Sequence, residues 1–120
     1  MGKKGFTLIE MLVGLVLLAI GLLAIAGMQI RSVNGNSFSA NLTQASILAQ
    51  DRFESLRQLD FTHAELDLGT HTDGLIPGTI VSRDYAVSLV PGTVMRSITV
   101  NVRWTDNSSH TIAFTTVRAN

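Results

Sequence analysis

The hydrophobic pattern changes character twice along the chain. From Met11 to Met28 no residue is charged and nearly every position is apolar. At about 1.5 Å per helical residue, such a run nearly crosses a bilayer core. Past Met28 the pattern becomes a stripe: Phe38, Leu42, Ala45, Ala49, Phe53 and Leu56 recur at three- and four-residue steps, and Leu48 and Leu59 widen it. This spacing predicts an amphipathic helix whose apolar face covers a sheet, with Asn41, Gln44, Arg52, Glu54 and Gln58 turned to solvent or to a neighbouring subunit. Asn34-Gly35-Asn36-Ser37 interrupts the stripe with a turn-like pair, but hydrophobic residues resume at helical spacing at once. The expectation is one helix to about Asp60 with a weak point there. From Phe6 to Asp60 it would span about 80 Å, more than a domain of this size needs for its own core. Packing of the first half against other copies accounts for that length; a membrane anchor with a stalk is the plain alternative.

Beyond the helix the period falls to two. Val81, Arg83, Tyr85, Val87 and Leu89 alternate with Ser82, Asp84, Ala86, Ser88 and Val90, and Pro91-Gly92 supplies a turn. Ile98, Val100, Val102 and Trp104 share the next face against Thr99, Asn101 and Arg103. Asp106-Asn107-Ser108-Ser109 turns the chain into a last strand from about His110 to Arg118, with Ile112 and Phe114 apolar. Thr62 to Thr79 reads as a polar connection closed by Pro77-Gly78. The predicted fold class is α+β, with one long N-terminal helix on a C-terminal three-stranded antiparallel sheet.

The chemistry-bearing residues lie ahead of the apolar run. Lys3 and Lys4 form a positive flank that keeps the N-terminal end cytoplasmic and points the rest outward. Glu10 joins the run with no spacer, and a charge at the hydrocarbon boundary costs a few kcal/mol unless it serves a partner or a pathway. A cut between Gly5 and Phe6 would place a new α-amino group one helical turn from that carboxylate. A helix N-terminus also favours an acid at Glu10, but that leaves the glycine, the basic leader and the apolar tail without a reason. Ala24-Ile25-Ala26 has the small-x-small form of a signal peptidase site. The long apolar region and the acid at its start argue against cleavage there. An unprocessed anchor is the other rival, and both leave Gly5 to Glu10 as coincidence.

Gly5-Phe6-Thr7-Leu8-Ile9-Glu10 with its basic leader and apolar tail resembles the type IV prepilin signature, shared with the pseudopilins of type II secretion. The resemblance implies that prepilin peptidase cuts after Gly5 and methylates the Phe6 amine. It also implies that Glu10, with Thr7 beside it, serves assembly with other pilin or pseudopilin subunits. The domains are then a leader at 1–5, a membrane and filament-core helix at 6–29, its amphipathic half at 30–60, a connecting loop at 61–79 and the sheet at 80–120. Localisation is the inner membrane as a single-pass precursor, then an extracellular or periplasmic filament. Arg103-Trp104-Thr105-Asp106 with His110 resembles the end of small minor pilins of the pilus modification type and of a minor pseudopilin. A minor type IV pilin is the first reading, a minor pseudopilin the second. A non-polymerising membrane-anchored binding module is a third.

Composition narrows the rest. Nine Lys and Arg balance nine Asp and Glu; loss of the leader leaves seven against nine. The arginines are scattered singly, so no basic patch for nucleic acid is expected. There is no cysteine, and hence no disulfide of the kind that closes a C-terminal loop in many pilins. His63, His71 and His110 fall in no nucleophile or metal pattern, so neither enzyme, cofactor nor metal is expected. Because some pseudopilins hold calcium in loops, Asp67 and Asp73 remain worth locating. Trp104 is assigned to the core.

Overall fold

In a computed structural model, which describes residues 5–120, helix α1 runs unbroken from Leu8 to Arg57. Thr7 starts it: its hydroxyl accepts from Glu10 N at 3.2 Å and its carbonyl from Met11 N at 3.1 Å, so one side chain satisfies a donor that the first turn leaves free. Helical structure continues through Asn34-Gly35-Asn36-Ser37. By contacts the chain falls into two units, Met1–Ser37 and Phe38–Asn120. In the first, every described residue is exposed. Lys3 and Lys4 lie outside the described residues.

The second unit is built from the stripe. Ala45, Ala49 and Leu56 of α1 are buried, and Leu42, Leu48, Phe53 and Leu59 pack partly buried around them. The two alanines carry no bulk past Cβ, which lets the helix lie close on the sheet. Four strands form that sheet: β1 (Gly69–Leu75), β2 (Val81–Leu89), β3 (Arg96–Thr105) and β4 (Ser109–Arg118), antiparallel in the order β1-β2-β3-β4. Val81, Tyr85 and Val87 of β2 and Ile98, Val100, Val102 and Trp104 of β3 are buried in the core, as the alternation predicts. Leu66, from a 3-10 turn at Ala64–Leu66, completes it. Burying one such side chain contributes about 1.5–3 kcal/mol.

Two expectations need correction. The sheet has four strands, not three, because Gly69–Leu75 of the expected 61–79 loop forms β1. Its residues are mostly polar and give no apolar alternation; it is held by backbone pairing along the β2 edge. A register shift between Thr72 and Gly74 bends it, and Gly74 takes φ 71°, which few other residues adopt. The second correction is Arg52. It does not face solvent, and its side chain is 13% exposed. It sits at the border of the apolar stripe, and its long stem carries the guanidinium inward to charged partners.

The two proline turns prove to be one device used twice. In Ile76-Pro77-Gly78-Thr79-Ile80-Val81 the Thr79 amide and hydroxyl both donate to Ile76 O, Val81 N donates to the Thr79 hydroxyl, and Ile76 N donates to Val81 O. Val90-Pro91-Gly92-Thr93-Val94-Met95 repeats these bonds at equivalent atoms. Proline presets one φ and glycine takes the positive one, 76° at Gly78 and 77° at Gly92. Each turn therefore closes a hairpin.

No glycine follows α1 to take up its last carbonyls. Arg118 does so instead, donating from β4 to Leu56 O at 2.7 Å and to Leu59 O. Its cross-strand neighbour Arg96 donates to Phe61 O and Leu66 O and stacks on the Phe61 ring. Two arginines at one end of the sheet thus fasten the helix end and the segment after it.

Candidate functional site

The N-terminal site can be described by itself. Gly5 and Phe6 are exposed ahead of the helix, Phe6 by 79%, and no backbone or side chain lies within 4 Å of where a Cβ on Gly5 would stand. Thr7 is the cap that fixes where α1 begins. Glu10 therefore falls in the first turn, where the helix dipole favours a carboxylate. A shallow groove of Phe6, Glu10, Met11, Gly14, Leu15 and Leu18 shows that the acid shares a face with apolar and small side chains. From Leu8 to Val33 the large apolar residues are all more than half exposed. Among the described residues, α1 is long and apolar enough to cross a membrane. Among the described residues of its unit, the apolar helix has no packing partner.

The second unit binds its charged residues internally. Asp73, on β1, accepts from Arg83 Nε at 2.7 Å, and Arg52 Nε approaches the same oxygen at 3.1 Å as a charge contact not aligned for a hydrogen bond. Arg83 also donates to Leu48 O on the helix at 2.8 Å. Between these groups lies Tyr85, with the Arg52 guanidinium over one part of its ring and His71 stacked at 4.8 Å. Its hydroxyl donates to Glu65 O at 3.0 Å. Burial pushes the Tyr85 phenol above its ordinary value; Arg52 opposes this, while Glu65 and Asp73 add to it. The phenol stays protonated and serves as a donor.

Asp73 is therefore occupied by arginines, and Asp67 caps the 3-10 turn through its backbone. Among the described residues, no three His, Asp or Glu side chains converge to hold a metal ion. His63 Nδ1 accepts from Glu65 N, and His71 Nε2 donates to Asp67 O. His110 stacks on Trp104 at 5.2 Å and meets Phe38 edge-on at 5.0 Å. Its Nε2 lies 3.0 Å from both Asp106 Oδ1 and Ser108 Oγ. A nucleophilic serine needs a base whose two nitrogens serve the hydroxyl and the acid separately; here one nitrogen meets both. The grouping clasps the β3–β4 hairpin. On the outer sheet face Asp84 accepts from Asn101 at 3.0 Å and pairs with Arg103. The arginines Arg52, Arg83, Arg96, Arg103 and Arg118 all bond within the domain. No local pattern announces these clamps, because each arginine bonds a carbonyl 30 or more residues away.

Residues 1–26 match the family model of the prokaryotic N-terminal methylation motif. The N-terminal segment therefore carries this motif, and the long helix followed by an antiparallel sheet is the arrangement that the type IV pilin resemblance implies. No curated protein and no solved structure matches the chain. The motif is one of N-terminal methylation, and the apolar helix that follows it is long enough to cross a membrane.

Proposed function

We propose that this pilin-like chain is a minor type IV pilin, a non-enzymatic subunit that helps prime or modify pilus assembly. The observation that carries the reading is the methylation motif running into an exposed apolar helix whose first turn holds Glu10. Prepilin peptidase cuts between Gly5 and Phe6 and methylates the new amine. The subunit then waits in the inner membrane until its helix is drawn among those of other pilins. Glu10 pairs with the Phe6 amine of a neighbour. In a low-dielectric core an unpaired charge is costly, so this pairing sets the register of the incoming subunit. The small domain and the absence of cysteine favour a minor over a major subunit. A minor pseudopilin of type II secretion shares this chemistry and differs in the machinery it joins.

Intact mass and N-terminal sequence of the protein from native membranes test the processing. A chain beginning at methylated Phe6 is expected. One beginning at Gly27, or retaining Met1, overturns the reading.

A further inference from the structure

The sheet has two outer strands, and they are built differently. β1 is short and bent by its register shift, with Gly69 and Gly74 at positive φ. β4 carries none of these features. It pairs with β3 without interruption from Thr105↔Ser109 to Arg96↔Arg118, and its sequence holds no proline, glycine, lysine or carboxylate. Edge strands ordinarily carry such devices, because a straight row of outward N–H and C=O groups is a template for another strand.

The core is open along the same edge. Ile112 and Phe114 face α1 from β4 but are only partly buried, as is Phe53 on the helix, while Val100 and Val102 beside them on β3 are fully buried. A cleft of about 480 Å³ lies there, lined by Phe53, Arg57, Ile98, Thr116 and Arg118 among others. Arg118 is committed to the helix end. The Arg57 side chain is 70% exposed, and its contact with Glu54 is loose at 3.9 Å.

We infer that β4 accepts an extended segment of a second, different protein as a fifth strand, antiparallel, with apolar residues at alternate positions and a carboxylate at the end that meets Arg57. Backbone pairing supplies affinity and the cleft beside Phe53 supplies side-chain selection, the usual division of labour in strand addition. The C-terminal end of β4 lies at the arginines, so an antiparallel segment places its N-terminal residue there. A second copy of this chain fits poorly, because β4 itself carries no Asp or Glu to bring to Arg57. The β1 edge of another copy is bent away by its bulge.

The probe is the octapeptide acetyl-Glu-Thr-Val-Thr-Val-Thr-Val-Thr-amide, titrated into the full chain in detergent micelles and followed by hydrogen exchange. Saturable binding is expected, with exchange slowed about tenfold at alternate amides between Thr111 and Val117 and unchanged in β1. Absence of binding, unprotected β4 amides at saturation, or protection of β1 instead overturns the inference. Arg57→Glu, at an exposed position, is expected to weaken this peptide by about tenfold and to bind better the same peptide begun with lysine. Indifference of both proteins to that exchange removes the acid from the assignment. Tighter binding of a peptide with the sequence of β4 itself makes a second copy the occupant and overturns the choice of a different chain.

Discussion

Asp73 shows how much of this domain hangs on single charged residues. It holds Arg83 and Arg52, whose side chains are 12% and 13% exposed, and through them fastens β1 and β2 to the helix. Removing Asp73 leaves the two guanidiniums with only the longer contacts of Arg52 to Glu65 at 3.7 Å and Arg83 to Asp51 at 3.9 Å. Asp73→Ala is therefore expected to lower the unfolding free energy of the domain by about 3 kcal/mol, the low end for a broken buried pair, read from denaturant unfolding followed by the fluorescence of Trp104, the single tryptophan. Asp106 offers a pH test. The Ser108 amide first, then His110 and Asn41, hold its carboxyl down to about 2 from an ordinary 3.8. A folded value below the unfolded one means that the stabilisation is full above about pH 4 and is lost as pH falls through about 2. The wild-type protein is expected to lose more thermal stability over that interval than Asp106→Asn, whose side chain does not titrate. At this scale the sequence was legible where burial is decided by alternation, as at Trp104, and misleading at Arg52. Helical position alone says on which side a residue starts, while a long side chain decides where its charge ends.

Among the elements, α1 tests its own weak point. Gly35 lies within regular helix, and the space where a Cβ would stand is open. Gly35→Ala is expected to stabilise the helix by about 0.5–1 kcal/mol, seen as slower amide exchange from Asn34 to Ser37; unchanged exchange would show that the glycine does not limit the helix there. The phase break between Val33 and Phe38 coincides with the boundary between the two units, and the helix continues across it. Strands β2, β3 and β4 were legible because their alternation pays one face into the core. β1 was not, since Thr70-His71-Thr72-Asp73 makes no apolar face. A cue was nevertheless present. Pro77-Gly78-Thr79 repeats Pro91-Gly92-Thr93, and if the second closes a hairpin the first implies a strand before it.

For the molecule as a whole, the proposed assembly step turns on one carboxylate. Glu10→Val is expected to leave the protein processed and in the membrane while its recovery in sheared filaments falls at least tenfold, roughly 1.4 kcal/mol or more of lost association. Undiminished recovery would show that the acid does not set register. The N-terminal motif was readable from six residues and the run behind them because bilayer thickness and charge cost act on local sequence. The way the domain closes was not, because its clamps join distant segments. The bond from Arg118 to Leu56 O spans 62 residues of chain, and this sets an order of events during synthesis. The apolar run leaves the ribosome long before the guanidinium that finishes the same helix exists. The helix end therefore stays unfinished until almost the whole chain has been made, and the domain can close only after synthesis ends.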